Sequence, residues 1–296
     1  MKGQLIKIAG HCLMIDNSIS LAGNYEPFRS GTHDDCPIIS IISLGDVIFP
    51  FNACCNEKSY LDDAEELFIS KDIDGSYNAV VKVRSTGKEY FLHATSAWDC
   101  ITLSLNCISE ECPFSVIDKF IMLVFIYASS RYGTVLLHAS SIKLGTDAVA
   151  FIGHSGAGKS THSRLWLDNI DGAQLLNDDQ PAIRVNAGNE IIIYGTPWSG
   201  KTCCYKSDSA VLRGIVRMKQ APYNKITFLT PVYLLRELLS SCSMMKSDNV
   251  TFKFITATLA KIASHVSGFI LENKPDKDAV TLSYKNVFGK DFICNK

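Results

Sequence analysis

Long apolar runs are missing from this sequence. The most apolar stretch, Phe120–Ala128, is nine residues long and sits between Lys119 and Arg131. A membrane-spanning helix needs about 20 such residues, so this one reads as a buried helix. No apolar leader is expected either. Lys7, His11 and Asp16 interrupt the opening MKGQLIKIAGHCLMID, whereas a signal peptide needs a continuous apolar segment and a small-residue cleavage site. Neither charge is in excess. Lys and Arg total 29, Asp and Glu 30, and the net charge is -1. There is therefore no broad positive field for nucleic acid or an anionic membrane, and neither is an expected partner. The 11 cysteines include the adjacent pairs Cys54-Cys55 and Cys203-Cys204 but no C-x-x-C. That argues against a zinc ribbon and a disulfide scaffold. They read as reduced thiols packed as small apolar residues in a cytoplasmic protein. The 7 histidines form no H-x-H or H-x-x-x-H, so no dedicated metal cage is expected.

What is present is an ordinary globular composition, 47% hydrophobic and 20% charged over 296 residues. At about 150 residues per domain this suggests two domains. The pattern predicts a smaller β-rich domain over 1–112 and a mixed α/β domain over 113–296, divided at the polar stretch Ser109–Pro113. In the first part, strands are expected at Gln4–Ala9, Cys12–Ile15, Pro37–Leu44, Val47–Phe51 and Cys100–Leu105. Asn78–Val83 and Glu89–Ala94 flank Ser85-Thr86-Gly87-Lys88, a hairpin signal. Ser115–Tyr132 then carries apolar residues at three- and four-residue spacing, as in a helix, and Gly133 ends it. Val135–Leu144 and Ala148–Ile152 read as two strands joined at Gly145-Thr146-Asp147. A helix is expected from Lys159 through Trp166 and a strand at Ala173–Leu176. Ala182–Val185 and Glu190–Tyr194 form a second hairpin signal. Thr230-Pro231 opens a helix through Leu239. Asp248-Asn249 caps another, with Gly268 as its stop.

Residues 148–160 read AVAFIGHSGAGKS, and Gly153 to Ser160 match G-x-x-x-x-G-K-[ST] in full. Chance gives such a match in about one chain of this size in a hundred. Here a strand precedes it and a helix follows, as a phosphate-binding loop requires. Phosphate oxygens must lie against main-chain N–H groups, and a Cβ would block them. Hence Gly153, Gly156 and Gly158 stand among His154, Ser155 and Ala157. The helix opening at Lys159 aims its positive end at the phosphates. Lys159 brings an ammonium to the outer phosphates, Ser160 a hydroxyl for Mg²⁺, and Thr161 follows in the same turn. The loop implies a bound nucleotide without choosing among kinase, ATPase and GTPase. The chain is read as having no N-K-x-D base-recognition element, so a GTPase is disfavoured.

Asp178-Asp179 follows Leu175-Leu176, about twenty residues beyond the loop, where such proteins place a metal-anchoring carboxylate. Adjacent residues on a strand alternate sides. One carboxylate is then free to face the metal while the other takes a proton from an acceptor hydroxyl. The alternative is a solvated turn before Gln180-Pro181. His138, on the strand before the loop strand, either reaches the phosphate end of the sheet or is a core histidine on a backbone carbonyl. Gly195-Thr196-Pro197-Trp198-Ser199-Gly200-Lys201 is either a second phosphate-side loop, with Lys201 neutralising charge, or a plain surface loop. His154 and His162 read as environment rather than catalysts.

Taken together, LLHASSIKLGTDAVAFIGHSGAGKST, LLNDDQPAI, YGTPWSGK and IVRMKQAPYNKITFLTP, over about residues 133–231, resemble the C-terminal kinase domain of the HPr kinase/phosphorylase family. That family's nucleotide fold is similar to ATP-dependent phosphoenolpyruvate carboxykinase, with partly antiparallel strands around the loop. The resemblance implies ATP and Mg²⁺, and transfer of a phosphoryl group to a hydroxyl, often a serine, on a peptide, protein or small molecule. By it, Lys159 and Ser160 hold phosphate and Mg²⁺, and Asp178 matches the general base. Asp179 matches its neighbour and a metal ligand, and His138 matches the catalytic-site histidine. The family's E-x-R-G stretch is replaced here by GTPWSGK, with Lys201 as its only fixed cation. A nucleotide-gated module without turnover is the alternative this departure supports. The first half shows no resemblance to the bifunctional enzyme's own N-terminal domain, so HPr itself is not the expected acceptor. Kinases resembling this one are often homo-oligomers.

Overall fold

The computed structural model describes residues 3–31, 36–47, 57–61, 64–200, 202–244 and 248–289. The chain divides into two compact units, residues 1–131 with 245–252 and residues 132–244 with 253–296. Among the described residues no helix is long and apolar enough to cross a membrane, and the described cysteines are free thiols. The strand expected at Val47–Phe51 falls, beyond Val47, outside the described residues, as do Cys54-Cys55 and Lys201.

The first unit is a mixed sheet whose described strands are β1 Gly3–Ile8, β2 His11–Asp16, β3 Arg29–Ser30, β4 Ile38–Gly45, β5 Glu57–Leu61, β6 Glu65–Lys71, β7 Tyr77–Val83, β8 Glu89–Ala94 and β9 Cys100–Ser104. Their order is β3-β1-β2-β4-β9-β8-β7-β6-β5. The pairs β2–β4 and β4–β9 run parallel. The β7–β8 hairpin turns at Gly87, whose φ of 67° suits glycine. The helix α1, Phe114–Ser130, buries Val116, Phe120, Ile121, Val124 and Phe125. Its Tyr127 stacks on Trp98 at 4.2 Å, and its Asp118 accepts a 2.6 Å hydrogen bond from the Tyr25 hydroxyl. These contacts hold α1 in the first unit. The break therefore follows Arg131, not the polar stretch Ser109–Pro113, which is only a loop leading into the helix.

The second unit holds β10 Thr134–Leu136, β11 Ala139–Leu144, β12 Asp147–Ile152, α2 Lys159–Asn169, β13 Ala173–Asp179, β14 Ala182–Val185, β15 Ile191–Tyr194, β16 Ser209–Gln220, β17 Lys225–Leu229, α3 Pro231–Ser241, α4 Asn249–His265, β18 Ser267–Asn273 and α5 Lys277–Phe288. The first turn of α4 groups with the other unit. The sheet runs β10-β14-β15-β16-β12-β11-β13, with β18 on β16 and β17 on β18. β11 and β12 form an antiparallel hairpin, while β12 lies parallel to β16. The stretch expected as one strand over Val135–Leu144 is two. β10 pairs with β14 and β11 with β12 and β13, and the change of partner falls at Leu137-His138. His138 thus sits at the end of the sheet, its N–H donating to Ser241 O at 2.7 Å.

The core behind the site gathers Val149, Phe151, Trp166, Val216, Met218, Leu271 and Val280. Trp166 is fully buried and meets Phe151 at 5.6 Å with rings inclined at 63°. Its indole N–H reaches His162 Nε2 and Ser283 Oγ, both at 3.1 Å. One side chain thereby ties α2 to both the sheet and α5. Gly268 does not stop α4, which ends at His265. Gly268 lies within β18, where an added Cβ would stand 2.9 Å from Leu234 Cδ1. Glycine is there to let α3 approach the sheet.

Candidate functional site

The loop from Gly153 to Gly158 joins the end of β12 to the start of α2. Gly156 and Gly158 have φ of 79° and 97°, values that other residues rarely adopt. Gly153 is required for a different reason: an added Cβ would lie 2.8 Å from the Ala157 Cβ and 3.2 Å from an Arg217 guanidinium nitrogen. Gln220 at the end of β16 fastens the loop by donating to Gly156 O at 2.8 Å. The N–H groups of the first turn of α2 have no partners within the helix, which is what an anion uses.

Lys159 is largely buried, 9% exposed. Its ammonium donates to Gly153 O at 2.9 Å, to His138 Nε2 at 3.0 Å and to His154 O at 3.4 Å. Desolvation pulls its pKa below the ordinary lysine value; Asp179 and Asp178 pull it back up, and Arg217 pushes it down again. A bound polyphosphate would reverse the burial penalty by supplying countercharge.

The acidic pair faces two ways, as alternation on a strand requires. Asp178, 6% exposed, accepts a 2.9 Å hydrogen bond from the Ser160 hydroxyl. Asp179 accepts from His138 Nδ1 at 2.8 Å. Ser160 thus meets Asp178 directly, while Asp179 meets the His138 ring. His138 is half-exposed and links Asp179 to Lys159 in a row; it is not a core histidine. The register that does this is β11 against β13, with Ala139 opposite Asp179 and Ser140 opposite Asp178.

Asn177 was not foreseen. It is fully buried. Its amide donates to Thr196 Oγ1 at 3.2 Å and to Trp198 O at 3.0 Å, and its oxygen accepts from the N–H groups of Asp179 and Gln180 at 3.1 and 2.9 Å. One side chain thus fixes the backbone of the acidic pair and binds it to the second glycine loop. That loop is no loose surface segment: Thr196 and Trp198 are buried. Gly200 N donates to Asp178 O at 2.7 Å, and a Cβ there would lie 2.8 Å from the same oxygen.

A second cation was also missed. Arg217 lies opposite Ile152 in the parallel β12–β16 pairing. This brings it beside Gly153, with its Nε 3.0 Å from Glu237. Nothing in its local sequence marks it; only strand pairing brings it to the loop. The expectation that the chain has no N-K-x-D is corrected as well, since Asn273-Lys274-Pro275-Asp276 spells it. Asn273 closes β18, and Asp276 caps α5 by accepting from Ala279 N at 3.0 Å.

Two cavities border the loop. One of about 510 Å³ is lined by Ala157, Gly158, Thr161, His162, Gln220, Ala221, Asn273 and Pro275. The other, of about 390 Å³, reaches Ser160 and Asp178 between α2 and β13, with Arg164 and Thr202 on its walls. Hard cations take oxygen ligands. The Ser160 hydroxyl at the loop is such a ligand for a Mg²⁺ shared with phosphate, and the acidic pair sets its carboxylates beside it.

The sequence matches no protein-family model and no curated protein. Among solved structures it is similar to the Hpr(Ser) kinase/phosphatase from Coxiella burnetii, at 13% identity over 41% of this chain and 86% of that one, with a TM-score of 0.25. The functional reading therefore rests on the geometry of the site.

Proposed function

We propose that this chain is an ATP-dependent phosphotransferase, with a nucleotide domain of the HPr kinase and phosphoenolpyruvate carboxykinase kind, that moves the γ-phosphoryl group to a hydroxyl on a peptide, a protein or a small molecule. The observation that carries this is the 2.9 Å hydrogen bond between Ser160 and Asp178. It sets a nearly buried carboxylate against the first turn of a helix that opens on a phosphate loop. A carboxylate in that place is positioned to act on whatever approaches the outermost phosphate.

In this reading the N–H groups of residues 154–160 hold the phosphates, and Lys159 and Arg217 neutralise the charge that spreads over the transferred group. Mg²⁺, held by Ser160 with Asp179, would supply further neutralisation when bound. Lys159 exchanges the carbonyls of Gly153 and His154 for phosphate oxygens. Asp178 accepts the proton of the acceptor hydroxyl as its oxygen bonds to phosphorus and the bond to ADP breaks. His138 and Asp179 hold Lys159 from behind as it makes that exchange. Most of the rate gain would come from positioning, because the loose transition state asks for little covalent chemistry from the protein.

The test pairs two variants in an assay of γ-phosphoryl transfer to serine-containing peptides and small alcohols. Asp178→Asn is expected to bind Mg·ATP with near wild-type affinity and to transfer at least about 10²-fold more slowly, in the range of a lost acid–base group. A fully active Asp178→Asn would remove the base from the account.

A further inference from the structure

The proposed transfer uses no thiol, yet two thiols meet in the first unit. Cys107 lies in the single 3₁₀ turn Leu105–Ile108, and Cys112 follows in the loop that leads into α1. The backbone between them folds back on itself. Ser109 N donates to Asn106 O at 3.2 Å and Cys112 N to Ser109 O at 3.0 Å, so the chain turns twice within this short segment. Tyr90 on β8 braces the second turn, its hydroxyl donating to Glu111 O at 3.2 Å. Lys88, at the β7–β8 turn, pairs with the Glu111 carboxylate.

This fold-back sets sulfur against sulfur. The Cys112 thiol is hydrogen-bonded to Cys107, and the Tyr90 phenol stands beside both. Ser104 Oγ lies 3.6 Å from Cys107 Sγ. Cys107 is 4% exposed and Cys112 is half-buried, so the pair meets solvent at Cys112. Two thiols in contact lose their protons as a unit. The hydrogen bond from Cys112 holds the Cys107 thiol below the ordinary cysteine value; Ser104 and the Phe91 backbone help it against the cost of burial. The same hydrogen bond, with burial, pushes Cys112 up. The first proton therefore leaves a thiolate on Cys107 with a second thiol already against it. A thiolate is the reactive form of cysteine, and an adjacent thiol can displace whatever the first sulfur takes up.

We infer that Cys107 and Cys112 form a redox modification site, at which a hydroperoxide converts the two thiols into a reversible disulfide. The Cys107 thiolate attacks the outer oxygen of the hydroperoxide and the O–O bond breaks. The leaving oxygen takes the proton that Cys107 gave up and departs as an alcohol, or as water where the oxidant is hydrogen peroxide. Cys107 is left as a sulfenic acid. The Cys112 sulfur then bonds to the Cys107 sulfur, and the sulfenic oxygen leaves as water with the Cys112 proton. Two sulfurs have together given up two electrons to one hydroperoxide. A small dithiol reverses the change by exchange. The disulfide would lock the turn that leads into α1. The site lies wholly in the first unit and stands independently of the phosphate-loop reading.

The experiment titrates the reduced full chain with hydrogen peroxide until half of Cys100, an exposed thiol in the same unit, is oxidised. The chain is then unfolded in iodoacetamide, digested between Cys100 and Cys107 with chymotrypsin, and weighed by mass spectrometry. By that point most molecules are expected to carry Cys107 and Cys112 unblocked and linked, lighter than the reduced form by two hydrogens. Dithiothreitol added before the iodoacetamide should restore both thiols. Cys112→Ser, a small change at a half-buried loop position, is expected to stop at the sulfenic acid, which dimedone traps on Cys107. Three results would overturn the assignment: both thiols of wild type still blocked by iodoacetamide when half of Cys100 is oxidised, sulfinic acid on Cys107 in place of the link, or dimedone on Cys100 but not on Cys107 in Cys112→Ser.

Discussion

Side chains at the site do two jobs, and burial decides which. Lys159, Asp178 and His138 meet the cleft; Asn177, His162 and Trp166 hold them in place from behind. His162 gives the sharpest test of the second group. Desolvation lowers its pKa to about 4 in the folded chain, against an ordinary 6.5. Between those values the unfolded chain takes up a proton that the folded chain refuses, so stability falls as pH drops from 6.5 toward 4. The loss is on the order of 2 kcal/mol at pH 5. Urea midpoints at pH 7 and pH 5 should show it, and His162→Gln should lose less over the same interval. Identical pH slopes for the two proteins would mean that the ring is charged or solvated when folded. At this scale much of the site was legible. Gly153–Thr161 and the acidic pair announce themselves by spacing, because phosphate binding needs glycine and lysine at fixed offsets. Asn177 was not legible, since its value lies in two backbone segments that meet only after folding. Nor was Arg217, whose neighbour Gly153 is distant in sequence.

Whole elements were legible where their signals are local. The β7–β8 hairpin, α1 with Gly133 at its end, and the Asp248 cap of α4 all follow from turn and cap chemistry. β16, β17 and β18 did not, because their pairing is set by partners far away in the chain; α5 was missed although Asp276 caps its start and Gly289 its end. Gly268 shows how a local rule misleads: a glycine after a helix resembles a stop, yet this one makes room for Leu234. The split of β10 from β11 carries the functional weight, because it places His138 at the sheet end. The second glycine loop makes an element-scale prediction. In Gly200→Ala the new methyl would press on Asp178 O from 2.8 Å, moving the acidic pair without touching the phosphate loop. Phosphoryl transfer should fall by about 10- to 100-fold, as for a displacement near 1 Å, with Mg·ATP affinity held within about 2-fold, a small fraction of 1.4 kcal/mol. Unchanged transfer rates would show that the loop does not position Asp178.

For the molecule as a whole, two units are present, and the phosphate loop, the acidic pair and both bordering cavities all belong to the second. The β-rich first unit was legible as a separate body but not by its boundary, since α1 looks like the start of a new domain until Tyr127 is seen against Trp98. A ligand that binds only the folded chain stabilises it by mass action, about 2.7 kcal/mol at a hundred times Kd, or roughly 5 to 10 °C for a body of this size. The most direct measurement is therefore the thermal midpoint of the full chain with and without saturating Mg·ATP, beside Lys159→Ala. The account predicts a rise of that order in wild type and none in Lys159→Ala. A wild-type midpoint that does not move, or a Lys159→Ala midpoint that rises as far as wild type, would contradict it.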